Sequence, residues 1–136
     1  TERGDMIVEL YDESTPITVN NFKDLIGKGF YDGLNFHRVI PDFMIQGGCP
    51  NGNGTGGPGY KIPCEVDGNQ QYHDKGVLSM AHAGRNTGGS QFFICHSRFG
   101  TQHLDGKHTC FGRVIEGLEV IDTIKQGDKI NKITII

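Results

Sequence analysis

The chain has 136 residues, 35% hydrophobic and 21% charged, which suits one soluble domain with its own core and excludes a disordered segment. Thirteen Lys and Arg against sixteen Asp and Glu give a net charge of −3, which argues against nucleic acid as a partner, because a phosphate backbone is gripped by a basic face. No apolar run approaches the roughly 18 residues of a membrane span and no basic-then-apolar leader is visible, so no membrane association is expected.

Met6, Val8 and Leu10 alternate with Ile7, Glu9 and Tyr11 and predict a strand. Ser14-Thr15-Pro16 opens a helix, with a hydroxyl near the N-cap and proline in the first turn. Val19, Phe22, Leu25 and Ile26 form its apolar face, and Gly27 and Gly29 end it. Two strands follow, Asn35 to Ile40 and Phe43 to Gly47, around a Pro41-Asp42 turn. Phe36, Arg38 and Ile40 share one strand face, Met44 and Gln46 another. An arginine among such neighbours either lies on a solvated face or belongs to a site.

Asn51 to Gly59 holds Gly52, Gly54 and Gly57 as a literal G-x-G-x-x-G. Pro58, Gly59 and Pro63 prevent the helix a dinucleotide site needs, so the stretch reads as a compact surface loop. Residues 65–75 are a polar loop, 77–81 a strand, 85–89 a turn and 91–95 another strand. A long connection over 97–107 leads to a strand over 109–115. Leu118, Val120, Ile121 and Ile124 mark a second short helix stopped by Gly127, and Ile130, Ile133 and Ile135 a closing strand. Seven strands and two short helices without strand–helix alternation predict a mainly antiparallel sheet, closed into a barrel or sandwich with the helices over its open ends.

Cys49, Cys64, Cys95 and Cys110 have no C-x-x-C spacing. They read as small buried hydrophobes in a reducing cytoplasm, with no zinc site. Gly89-Ser90-Gln91 lacks the nucleophile elbow, and the six histidines have no metal-binding spacing. No metal or cofactor is expected. There remain Arg38, Phe43, Met44, Gln46, Gln91, Phe93, Leu104 and His108, which, if they meet, make an apolar pocket with a few directed donors.

The stretches Phe36-His-Arg-Val-Ile-Pro-x-Phe-Met-x-Gln-Gly-Gly48, Asn53-Gly-Thr-Gly-Gly57, Leu78-Ser-Met-Ala81, Asn86-Thr-Gly-Gly-Ser-Gln-Phe-Phe-Ile94 and Leu104-Asp-Gly-Lys-His108 with Phe111-Gly112 closely resemble the cyclophilins, peptidyl-prolyl cis–trans isomerases. The resemblance runs in order over nearly the whole chain. It implies a single domain over residues 1–136, a closed eight-stranded antiparallel barrel capped by two helices, whose first strand is clipped near Gly4. It implies a monomer that isomerises X–Pro bonds in proline-containing peptides and proteins and so assists folding. Arg38 is then the main catalytic group, with Gln46, Phe43 and His108 beside it. Phe43, Met44, Phe93 and Leu104 line the proline pocket, with His108 at its rim. Gln46 and the backbone at Ala81 and His82 hold the peptide. Gln91 sits beside Arg38, Gly54 lies on the adjoining groove, and His37 joins the substrate-binding set.

Two departures from the family bear on the site. His103 stands where many cyclophilins have tryptophan, which implies reduced affinity for the cyclic peptide cyclosporin. His82 stands for a common asparagine, and tolerance is expected because the family uses mainly backbone there. A module that binds proline peptides without catalysis is the competing reading; the presence of Arg38 favours the enzyme.

Overall fold

The computed structural model describes residues 1–68 and 70–135. The elements are β1 (Ile7–Leu10), α1 (Pro16–Gly27), β2 (Arg38–Ile40), β3 (Met44–Gly47), β4 (Val77–Met80), β5 (Phe92–Cys95), α2 (Arg98–Thr101), a 3-10 turn over Gln102–Leu104, β6 (Cys110–Glu116) and α3 (Leu118–Ile121). The strands form one sheet in the order β1-β6-β4-β5-β3-β2, with every pairing antiparallel.

This is a mainly β fold, but among the described residues the sheet has six strands and is open, not the closed eight-stranded barrel expected. The shortfall has a local cause. Residues 33–36 turn away from the ladder that Arg38 begins. Their backbone bonds go to the C-terminal segment instead: Gly33 N–H to Ile130 O at 2.8 Å, Ile130 N–H to Leu34 O at 2.7 Å and Phe36 N–H to Asp128 O at 2.8 Å. The expected closing strand therefore makes only the isolated bridge of Lys129 with Asn35. Phe36 does not share the face of Arg38: its ring is 1% exposed in the core.

Helix α1 forms where its spacing predicts, but the expected hydroxyl cap is absent. Thr15 turns its hydroxyl back to Tyr11 O, at 3.0 Å. The free amides of the first turn go to a carboxylate from across the fold: Glu65 accepts from Ile17 N–H at 3.2 Å and from Thr18 N–H at 2.7 Å. A negative group there also opposes the positive end of the helix dipole. The face of Val19, Phe22, Leu25 and Ile26 packs on the sheet's inner side, where Phe22 meets Phe111 edge-on at 5.0 Å and Phe92 at 5.6 Å. The second helix is shorter than its spacing suggested, a single turn over Leu118–Ile121. Helix α2 was not foreseen; Ser97 caps it, its Oγ accepting from Gly100 N–H at 3.1 Å.

Alternation divides the central strands cleanly. Ile45, Leu78, Phe92 and Ile94 point into the main core. The opposite face carries one row across four strands, because Arg38 is paired with Gln46, Gln46 with Phe93, and Phe93 with Ser79. Met44, Phe93, Val77, Cys95 and Cys110 make a second apolar cluster on that face, partly roofed by Phe43, Ala81 and Leu104.

Candidate active site

Above this second cluster opens a cavity of about 540 Å³, within the usual range for ligand pockets. It is lined by Arg38, Phe43, Met44, Gln46, Gly54, Ala81, His82, Gln91, Phe93, Leu104 and His108, which are all the site residues predicted from sequence except His37 and His103.

The polar side of the cavity is a relay of fixed amides. Arg38 Nη1 points at Gln46 Oε1 from 3.5 Å. Gln46 Nε2 donates to Gln91 Oε1 at 3.0 Å, and Gln91 Nε2 donates to the carbonyls of Gly54 and Gly56, both at 2.9 Å. Each amide has one possible orientation, because each oxygen faces a donor and each nitrogen an acceptor. The Gly-rich loop is thus not a phosphate cradle. Its carbonyls anchor Gln91, which anchors Gln46 beside Arg38. The Arg38 guanidinium also lies 5.9 Å from the Phe43 ring centroid, within cation–π range.

The apolar side rests on Phe93, 4% exposed, with Met44 at 2%. His108 meets Phe93 edge-on at 5.6 Å, and His108 Nδ1–H donates to Met80 O at 2.8 Å. Burial lowers the His108 pKa more than that carbonyl raises it, and the neighbouring imidazoles of His82, His73 and His103 lower it further.

Behind Phe93 lies a polar network that sequence reading missed. His73 is fully buried and stacks on Phe93 with centroids 5.9 Å apart. Asp105 Oδ1 accepts from both the backbone N–H and Nδ1–H of His73, each at 2.8 Å, and His73 Nε2 accepts from Ser79 Oγ at 2.8 Å. Arg98 Nη1 donates to Asp105 Oδ2 at 2.6 Å and to His73 O at 3.0 Å. Burial pushes the Asp105 carboxyl up, but the His73 amide, Arg98 and the imidazole outweigh it and hold it below the usual carboxylate range. This network joins the turn carrying Leu104 to the back of the pocket. The register pairs Ser79 with Phe93, while His73 and Asp105 come from loops and Arg98 from α2, so no local motif announces the network.

Two predicted site residues fall elsewhere. His37 lies outside the cavity lining, its ring beneath Gly54, in the segment just before β2 begins at Arg38. Burial, then Arg38, lowers its pKa. His103 is exposed and stacks against Phe43 with centroids 5.9 Å apart, so it buttresses that wall rather than lining it. Thr55, Tyr60, Lys61, Ala83 and Thr87 also line the cavity and were not foreseen. Arg38 and Lys61 are cations, and among the described residues no carboxylate lines the cavity.

Two thiols, Cys95 and Cys110, lie fully buried beneath the pocket. Burial pushes Cys95 up to about 12 and Cys110 also upward. Among the described residues, no group of three His, Cys, Asp or Glu is placed to hold a metal ion. The site offers a charged donor, two oriented amides and an apolar pocket.

Comparison with known proteins agrees with this chemistry. The family model described as cyclophilin type peptidyl-prolyl cis-trans isomerase matches residues 1–135. A peptidyl-prolyl cis-trans isomerase of Synechococcus elongatus is 57% identical over 100% of this chain and 92% of its own length. Peptidyl-prolyl cis-trans isomerase B of Bacillus subtilis is 57% identical over 93% of this chain and 87% of its own. The crystal structure of a Cryptosporidium parvum cyclophilin type isomerase, obtained in the presence of the dipeptide Ala-Pro, superposes with a TM-score of 0.84 at 36% identity, covering 95% of this chain and 87% of that one. The chain belongs to the cyclophilin-type peptidyl-prolyl cis-trans isomerases.

Proposed function

We propose that Arg38 is the catalytic group of this isomerase and that Phe43, Met44, Phe93, Leu104 and His108 receive the substrate proline. The single observation that carries this reading is the row from Arg38 through Gln46 to Phe93, which sets a permanent charge beside an apolar floor. Rotation about X–Pro is slow because the nitrogen lone pair is conjugated with the carbonyl, with a barrier of about 20 kcal/mol. In the twisted transition state the lone pair localises on nitrogen. A guanidinium aimed at it is worth more there than in either planar ground state. Gln46, oriented by Gln91, is suited to hold the substrate backbone, as is the chain at Ala81 and His82. The reaction as read needs no proton transfer.

The decisive experiment measures isomerisation of an Ala-Pro-Phe peptide by the wild type and Arg38→Ala. Removal of a preorganised charged donor is expected to lower kcat about 100- to 1,000-fold. Unchanged acceleration in the variant would remove Arg38 from the mechanism. Tight peptide binding without acceleration in the wild type would make the pocket a binding module.

The finer readings belong here as well. The closed eight-stranded barrel is one: a cleft with the apolar floor a further strand would cover runs between β1 and residues 130–135. Others are a cytoplasmic monomer acting on proline-containing proteins, with four free thiols in keeping with a reducing compartment, and weakened cyclosporin binding, since an imidazole offers less apolar area than an indole at position 103.

A further inference from the structure

The His82 side chain is held more firmly than a bystander at the groove would be. Its Nδ1 accepts from the Gly84 backbone N–H at 3.2 Å, so Nε2 carries the proton and donates to Lys107 O at 2.8 Å. Its ring lies flat on that of His108, with centroids 3.9 Å apart and planes 7° from parallel. His108 is itself tied to Met80 O. Residues Met80 and His82, at the end of β4, therefore grip two successive residues of the 104–108 turn. That turn is closed by the amides of Lys107 and His108 on Leu104 O, at 3.0 and 3.2 Å. Leu104 and His108 are pocket walls.

We infer that the His82 imidazole is a positioning residue, a proton-sensitive clasp that sets the Leu104–His108 wall of the proline pocket and opens when His82 takes up a proton. The inference rests on the placement of the proline pocket given above. The Gly84 contact that fixes the ring's orientation needs the neutral ring, because Nδ1 must accept there while Nε2–H donates to Lys107 O. A second proton would put Nδ1–H against Gly84 N–H, donor facing donor, and would set a cation on a stacked imidazole. The groups around the pair do not compensate. They are Lys107, whose carbonyl accepts from His82, and His73 and His103, whose imidazoles lie near His108. The Asp105 carboxylate is already taken up by His73 and Arg98. Arg38 and Gln46 stand on β2 and β3 and are held through Gln91 rather than through the clasp. Opening it therefore changes substrate binding and not the catalytic step.

The test follows KM and kcat for an Ala-Pro-Phe peptide from pH 8 to pH 5, with proton NMR titration of the histidine rings, in the wild type and His82→Asn. Asparagine can accept from Gly84 but can neither reach Lys107 nor stack. Wild-type KM is expected to rise about five-fold on acidification, the worth of one net hydrogen bond, with kcat steady and a midpoint that coincides with the titration of His82. His82→Asn is expected to show the raised KM already at pH 8 and to lack that inflection. The clasp is overturned if KM is flat in the wild type, if the inflection survives in His82→Asn, or if the variant matches wild-type KM at pH 8. In each of these cases acceleration by the wild type leaves the isomerase reading standing. Absence of acceleration at every pH overturns both.

Discussion

Replacing Gly48 by alanine tests how tightly the fold holds the site. Gly48 has φ +87°, and a Cβ there would lie 2.6 Å from Ser90 O, 3.0 Å from the Tyr31 ring and 3.2 Å from Phe92. Real Cβ atoms essentially never come within 3.0 Å of another heavy atom, so Ser90 would have to move by at least 0.4 Å (3.0 − 2.6). Three contributions add. A left-handed residue with a side chain costs about 1–2 kcal/mol. Overpacking against a rigid neighbour costs about 1–3 kcal/mol. Moving Ser90 strains two bonds, Ser90 Oγ to Gly48 O at 2.7 Å and Tyr31 OH to Ser90 O at 2.9 Å, for about 1 kcal/mol more. The sum is about 3–6 kcal/mol, a large part of a typical 5–15 kcal/mol stability. Gly127→Ala is the control: φ is +93°, yet nothing lies within 4 Å of its Cβ, so it should cost only about 1–2 kcal/mol. Urea unfolding of both variants gives the difference directly. Because Ser90 precedes Gln91, the Gly48 variant should also show a raised KM in whatever fraction remains folded. Equal losses of stability at the two positions would refute the steric argument.

Gln91→Leu removes the anchor of Gln46 at nearly constant volume; kcat/KM should fall about ten-fold while the melting temperature moves by only a few degrees, as stopped-flow isomerisation and thermal denaturation would show. Asp105→Asn should cost about 2 kcal/mol at pH 7, because the His73 and Arg98 donors lose a charged acceptor. The sign of its pH dependence is fixed by the depressed folded pKa. The carboxylate's contribution is complete above the ordinary aspartate pKa of about 3.9 and is lost as pH falls through the lower folded value. Acid unfolding curves of wild type and variant should therefore converge at the lowest pH. His103→Trp should tighten cyclosporin binding by calorimetric titration, since an indole stacked on Phe43 extends the apolar wall; unchanged affinity would separate this position from the drug.

The legible parts of the fold are those set by local period. The strand expected over Phe43 to Gly47, the apolar strand expected over Gln91 to Cys95, and the spacing of Val19, Phe22, Leu25 and Ile26 carry over into β3, β5 and α1. Ile130, Ile133 and Ile135 suggest a strand by their β-branched character, but only Ile133 and Ile135 keep its period of two, and backbone bonds to Gly33 and Leu34 take the start of that segment out of the ladder. Arg98 to Thr101 carries no apolar period, so nothing but Ser97 at its cap marks it as helix within the connection over 97–107. The pocket was legible because its residues lie in five distinctive motifs. The two displaced histidines were not, since whether His37 or Arg38 faces the groove depends on where β2 starts. The tolerance expected at His82 considered only the backbone. Its side chain reaches Lys107, 25 residues along, a contact no local pattern reveals.

The carboxylate that caps α1 has a consequence for the order of events in folding. Thr18 and Glu65 are 47 residues apart, and residues 15–18 supply no hydroxyl cap of their own. A twelve-residue helix is marginal alone in water. During synthesis α1 therefore gains its cap only after the β2–β3 hairpin and the Gly-rich loop have emerged. Closure of a long loop, not helix nucleation, sets when this helix becomes stable. A Glu65→Gln variant should slow refolding as well as speed unfolding if that closure belongs to the rate-limiting step, and only speed unfolding if it comes later.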